Sequence, residues 1–301
     1  MPAYELVFEV AALPGAEPTL GSRLAKVRSG PVDAASKPIF GALLEAYLDG
    51  LTGTIDRAPQ RLPAMRFPVL PGGPLGPAIS SDLKVRHWQQ LLAEIPRLPG
   101  RRLLDFGCGN ARRRKSVLKL GFEWRGLDVP DSQEALSRTD DTDVTLYDGG
   151  AVPFDDASCY VVLSTQTFEH VADPHLTLSE VARVLDSGGF LVGSTSHLEP
   201  YHSDSTFTYT PAVFAKLLAQ YSLVPVEISA GMDGLTLMVR RLVRQMGAVD
   251  QAKALNPFFT EASPINQLIE QAGQRQGVDP RRVNALKLEL VGQFHFLARK
   301  R

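Results

Sequence analysis

The chain has 301 residues, 44% of them hydrophobic and 22% charged, with a formal net charge of −1 at pH 7. That is the balance of an ordinary soluble globular protein, and it leaves no overall electrostatic footprint for nucleic acid or an anionic membrane. Only two cysteines occur, Cys108 and Cys159, with no CxxC spacing, which argues against a disulfide framework or structural zinc and for a reducing, cytoplasmic compartment.

The opening MPAYELVFEV is interrupted by Glu5 and Glu9 and has no basic leader, so it does not read as a signal peptide. No run reaches the roughly 18 apolar residues of a membrane-spanning helix. Tyr4 to Val10 reads as a strand and Pro38 to Leu48 as a helix. Residues 58–80 are rich in proline and glycine, as in an extended surface segment. Ser81 and Asp82 are expected to cap a helix that runs to Ile95 and buries Leu83, Trp88, Leu91, Leu92 and Ile95.

From residue 101 strands and helices alternate. Arg101 to Phe106, Glu123 to Val129, Asp143 to Tyr147, Ser158 to Thr165, Phe190 to Thr195 and Val224 to Ser229 read as strands. Between them, helices are expected over 111–120 and Ser132 to Arg138. Another begins at Asp173-Pro174, with Ser187-Gly188-Gly189 as its stop, and another runs from Thr210-Pro211 to Tyr221. Leu235 to Met246 and segments opened by Ser263-Pro264 and Asp279-Pro280 read as further helices. GQFHFLARK closes the chain as a strand with Phe294, Phe296 and Ala298 on one face. This order predicts an α/β fold with a parallel sheet covered on both faces. It divides the chain into an N-terminal extension (1–80) that could cover a substrate, a core (81–230), a helical insertion that could act as a lid (231–290), and a final core strand (291–301).

The stretch RRLLDFGCGNARRRK places Gly107 and Gly109 at the carboxyl end of the first strand, where open parallel sheets bind ligands. Glycine there permits a tight turn and a close approach of ligand to backbone. Asp128 follows about 20 residues later, at the end of the second strand, where a carboxylate can hold both ribose hydroxyls. The pair predicts an adenosine-containing cofactor. The third glycine of a dinucleotide fingerprint is replaced by Arg112, which disfavours NAD. An NAD-dependent oxidoreductase and a non-catalytic cofactor-binding module are the alternatives.

The segments LLDFGCGN, GLDV, LYDGGAVPFDDASCYVVLSTQTFEHV and LSEVARVLDSGGFLVGSTSH, in this order and spacing, resemble the class I S-adenosylmethionine-dependent methyltransferases, and their small-molecule branch in particular. The resemblance covers about residues 100–230 and the last strand. It implies a Rossmann-like, seven-stranded doubly wound sheet whose last strand is antiparallel, and S-adenosylmethionine as cofactor. It implies that Asp105, Gly107, Cys108 and Gly109 shape the pocket for the methionine end and that Asp128 holds the ribose. Val129 would lie against the adenine, Asp148 would bond its amine with Gly149 beside it, and Gln166 and Phe168 would line the methyl side. Ala111 stands where the family has the third glycine of its G-x-G-x-G form.

Methyl transfer from a sulfonium is a direct displacement that needs positioning rather than a covalent nucleophile. A hydroxyl acceptor would benefit from a general base. His170 and His175 follow the fourth strand; His197, Glu199, Tyr201 and His202 follow the fifth. His197 and His202 are the expected bases. A zinc site from His197, Glu199 and His202 was the metal alternative, and no metal is expected. The run Arg112-Arg113-Arg114-Lys115 reads as a solvated helix face, with an acidic substrate as the sharper alternative. Leu237, Met238, Leu242 and Met246 could form the lid face. The expected partner is a small-molecule methyl acceptor, methylated on oxygen, with neither nucleic acid nor membrane involved. Oligomeric state is not encoded legibly.

Overall fold

A computed structural model describes residues 65–96, 101–132, 134–139, 143–247 and 249–301. The expected strand Tyr4 to Val10, the expected helix Pro38 to Leu48 and most of the N-terminal extension lie outside the described residues. The strands are β1 (Arg102–Phe106), β2 (Glu123–Asp128), β3 (Val144–Leu146), β4 (Cys159–Thr165), β5 (Leu185–Ser196), β6 (Leu223–Ala230) and β7 (Gln293–Lys300). They form one sheet in the order β3-β2-β1-β4-β5-β7-β6. β1 to β5 pair in parallel, and β7 runs antiparallel between β5 and β6. The seven-stranded sheet with its antiparallel last strand is therefore as expected. Strand order reverses between β1 and β4, so their carboxyl ends open a crevice where a ligand can sit.

The described helices are α1 (Leu75–Ala78), α2 (Trp88–Glu94), α3 (Arg114–Lys119), α4 (Pro174–Val184), α5 (Pro211–Gln220), α6 (Gly234–Gln245), α7 (Val249–Ala254), α8 (Pro264–Arg275) and α9 (Pro280–Glu289). α4, α5, α8 and α9 each begin with proline, where a missing N–H costs nothing. Asp173, Thr210, Asp233 and Asp279 accept backbone N–H groups at the starts of α4, α5, α6 and α9. Successive strand residues point to opposite faces. Leu104, Phe106, Val162, Leu191 and Phe296 thus pack in one core, and Leu103, Val161, Leu163, Val192 and Leu297 in the other. A smaller cluster of Met232, Leu237, Val243 and Phe258 lies under the insertion. Among the described residues no helix is long and apolar enough to cross a membrane.

Some elements differ from expectation. α2 starts at Trp88 with His87 as its cap, not at Ser81 and Asp82. Asp82 instead accepts from Lys84 N, and Asn284 binds the carbonyls of Ser80 and Asp82. Ile79 bridges Ile228, and Arg86 pairs with Glu227 of β6. Those tertiary bonds hold the segment extended along β6, overriding the local capping signal. The turn over Ser132 to Arg138 is a short 3-10 helix, Ala135–Ser137. α4 ends at Val184, three residues before the glycine stop, because fully buried Leu185 already pairs with Cys159 in the sheet. Leu237 is buried, whereas Met238 and Leu242 are exposed, so the expected lid face is split between core and surface.

Candidate functional site

β1 ends at Phe106 and the chain bends through Gly107 (φ +71°) and Gly109 (φ +55°), a region open to glycine and strained for other residues. A Cβ at Gly107 would lie 2.3 Å from the Thr167 side chain. Thr167 Oγ1 in turn donates to Phe106 O at 3.2 Å, so the tips of β1 and β4 dock directly. Gly107 N and Cys108 N donate to Leu127 O at 2.8 and 3.0 Å, tying the bend to β2. Asp128 closes the opposite side. Its Oδ2 accepts from Gly109 N at 2.5 Å and its Oδ1 from Val129 N at 2.8 Å. Burial raises the Asp128 pKa, against the lowering effect of those two bonds. Arg138 donates to Gly109 O at 2.8 Å and fixes the outer limb of the turn.

Asp105 is fully buried, accepting from Arg113 Nε at 3.3 Å and Trp124 Nε1 at 3.1 Å. Arg113 also donates to Gly107 O at 2.8 Å. Asp105 and Arg113 therefore brace the bend from within the protein. The expected solvated face holds only in part: Arg113 is 8% exposed, and Arg114 pairs with Asp143 and lies over the Trp124 ring. Cys108 is buried, and burial pushes its thiol up to about 12, so it is no nucleophile.

Val129 is half-buried, and its Cγ1 lies 4.0 Å from where a Cβ on exposed Gly149 would stand. Asp148 beside it is exposed and accepts from Gly150 N at 2.9 Å. The structure thus draws Asp128 against the Gly107–Gly109 bend and sets Val129 between Asp128 and Gly149. Phe168 is elsewhere: it is fully buried and its ring stacks on Phe106 and meets Phe214 edge-on. It belongs to the aromatic core.

The carboxyl ends of β4 and β5 carry a buried polar network that the sequence did not reveal. Glu169 is fully buried, accepting from Thr195 Oγ1 at 3.0 Å, with Ser196 Oγ 3.1 Å from its other oxygen. Glu199 accepts from Ser196 Oγ at 2.6 Å and Gln293 Nε2 at 2.7 Å, and ion-pairs with Arg241 of α6. Gln166, at φ +55°, is satisfied when its amide oxygen accepts from Ser194 Oγ at 3.1 Å. Its NH2 then donates to Glu169 at 2.9 Å and to Glu199 at 3.2 Å. Burial, with Glu199 nearby, pushes Glu169 up to about 7. Burial works to raise Glu199 as well, but the Arg241 guanidinium together with hydrogen bonds from Ser196 and Gln293 holds it below its ordinary value.

His202 joins this network and His197 does not. His202 Nδ1 lies 3.0 Å from Pro200 O and 3.8 Å from Glu199 Oε1, and its ring meets His170 edge-on at 5.3 Å. Burial lowers the His170 pKa, helped by His202. The His197 backbone N–H donates to Gly292 O, and burial lowers its imidazole pKa. His175 pairs with Tyr221 Oη at 2.9 Å and is exposed. The one linear signal that could have found Glu169 is FEH just past β4. Arg113, Arg241 and Gln293 had none, because each reaches its partner only through the fold.

The family described as methyltransferase domain matches residues 104–193. A ubiquinone biosynthesis O-methyltransferase of Caulobacter sp. (strain K31) is 32% identical over 108 residues, 32% of this chain and 41% of that protein. A demethylmenaquinone methyltransferase of Renibacterium salmoninarum is 28% identical over 142 residues, 46% of this chain and 60% of that protein. The chain thus spans about half the length of these curated relatives. Among solved structures, a putative methyltransferase of Haloferax volcanii, in complex with the Trm112 methyltransferase activator, covers 71% of this chain and 90% of its own. Its TM-score is 0.45 and its sequence identity 22%.

Proposed function

We propose that this chain, whose core is a class I S-adenosylmethionine-dependent methyltransferase domain, transfers a methyl group to an oxygen of a small-molecule acceptor. The carrying observation is the Asp128 carboxylate drawn against the glycine bend Gly107–Gly109 at the carboxyl ends of β1 and β2, where open parallel sheets bind ligands. Each Asp128 oxygen accepts one backbone N–H and retains a lone pair, enough to receive the two hydroxyls of a ribose.

When bound, the cofactor supplies a methyl group on a sulfonium whose departure leaves a neutral thioether. The residues we assign to holding it are Gly107, Cys108 and Gly109 through backbone, Asp128 at the ribose, and Val129, Asp148 and Gly149 around the base. Asp105 acts beneath them as the brace. Gln166 lines the methyl side, its amide held between Ser194 and the two buried carboxyls. Fixing both reactants in line can contribute about 7–11 kcal/mol, and the many bonds that immobilise this bend serve that end.

The acceptor end is the face of Glu169, His170 and His202. His202 lies near a buried carboxylate, so of the two histidines expected from sequence we assign it, rather than His197, to assisting removal of the acceptor proton. Arg241 brings α6 to this face through Glu199, which supports residues 231–290 as an acceptor cover. The relative named as an O-methyltransferase favours oxygen, and the near-zero net charge favours a small, cytoplasmic substrate over nucleic acid or membrane. Calorimetry tests the reading: S-adenosylhomocysteine should bind with a Kd in the micromolar range and NAD should not. Tight NAD binding without S-adenosylhomocysteine binding would overturn it.

A further inference from the structure

Glu169, His170 and His202 bring a carboxylate oxygen and two imidazole nitrogens within 4.8 Å of one another, at the carboxyl ends of β4 and β5. We propose that these three side chains bind a divalent cation of the zinc, cobalt or manganese kind. Two imidazoles with one carboxylate suit such ions, whereas magnesium and calcium favour all-oxygen shells. Three protein ligands leave a coordination position open, as catalytic rather than structural sites do.

The surroundings of the three side chains are those of ligands. The His202 Nδ1–H is directed at Pro200 O, 3.0 Å away, which leaves the Nε2 lone pair for a metal. The Thr195 hydroxyl donates to one Glu169 oxygen and the Gln166 NH2 to the other, and together they hold the carboxylate in place. Arg241 pairs with Glu199, and among the described residues no lysine or arginine ion-pairs with Glu169. Sequence order suggested His197 and Glu199 as partners for His202; the fold puts His170 and Glu169 there instead.

The use of the ion rests on the methyl-transfer reading, although its binding does not. An acceptor hydroxyl in the open position would release its proton to solvent water more readily while bound to the metal. His202 would then assist as a ligand of the ion, with water taking the proton.

The test uses the full chain, stripped with a chelator and titrated with Co2+, read by its visible absorption bands and by calorimetry. The proposal expects one Co2+ per chain with imidazole-type bands, competed away by Zn2+. It expects His202→Ala and His170→Ala each to weaken binding at least about tenfold. Glu169 is fully buried, so Glu169→Gln is a supporting variant, interpreted only if it melts cooperatively; the two histidine variants carry the test alone. No Co2+ bands in the wild-type chain, or equal binding by both histidine variants, overturns the proposal. S-adenosylhomocysteine binding is measured on the same samples. Its loss in the wild-type chain would count against the methyl-transfer reading and leave the metal result standing.

Discussion

The carboxylate of Asp128 accepts the amide N–H of Gly109 at 2.5 Å, so the residue assigned to the ribose also pins the bend assigned to the methionine end. One side chain thereby links the tips of β1 and β2. A charged hydrogen bond of this kind contributes about 1.5–3 kcal/mol. Asp128→Ala should weaken S-adenosylhomocysteine binding by about 10- to 100-fold in calorimetry, with Asp128→Asn intermediate. A change of less than about threefold for the alanine variant would remove Asp128 from the cofactor site.

Gly107 adopts φ +71° and faces the Thr167 side chain. A β-carbon there costs roughly 1–2 kcal/mol in backbone conformation alone, before the collision with Thr167 is counted. Urea denaturation of Gly107→Ala should show at least that loss, accompanied by weaker cofactor binding. Unchanged stability would mean that the tips of β1 and β4 are not docked as described.

Arg113 and Lys115 belong to one basic run but differ in surroundings. Arg113 is buried against Asp105 and Gly107 O, while Lys115 is exposed. Removing one partner of a buried ion pair typically costs about 3–5 kcal/mol, whereas a surface change stays within about 0.5 kcal/mol. Arg113→Leu should therefore be severely destabilising and Lys115→Ala nearly silent in the same urea series. Equal effects would return the whole run to the solvated face that the sequence suggested.

His295 is fully enclosed, and burial, with His87 facing it edge-on at 5.1 Å, pushes it down to about 3 from an ordinary value of 6.5. Burial likewise lowers His87 to about 4. Between the folded and unfolded values, the unfolded chain binds more protons than the native one, so stability rises with pH across that window. The contribution is fully present above about pH 6.5 and is lost as pH falls toward 3, at up to about 1.4 kcal/mol per pH unit for each histidine. Urea midpoints at pH 7, 6 and 5 should fall more steeply for the wild type than for His295→Gln. Parallel curves would show that His295 is not held neutral by the fold.

Much of the site was legible because its signals are local. A bend free of bulk needs glycine wherever it occurs, and Gly107 and Gly109 announce it with no knowledge of the partner strands. Asp128 was legible for a related reason: β2 follows β1 by one helix, so its carboxyl end falls next to the bend. Asp105 shows where such reading stops. Its place near the end of β1 was legible, but Arg113 and Trp124 hold it beneath the bend, and no spacing rule specifies that pairing.

The sequence by itself determined the alternation of strands and helices and the glycine bend, because periodicity, proline and glycine act over a few residues; the antiparallel course of the last strand came from the family resemblance. Only the tertiary structure decided that Glu169 meets His202 while His197 stands apart, and that Arg241 and Gln293 converge on Glu199. Those groups lie far apart in the chain. They meet because β4, β5 and β7 are neighbours in the sheet, and the desolvation of buried carboxyls demands that every available donor be brought to them.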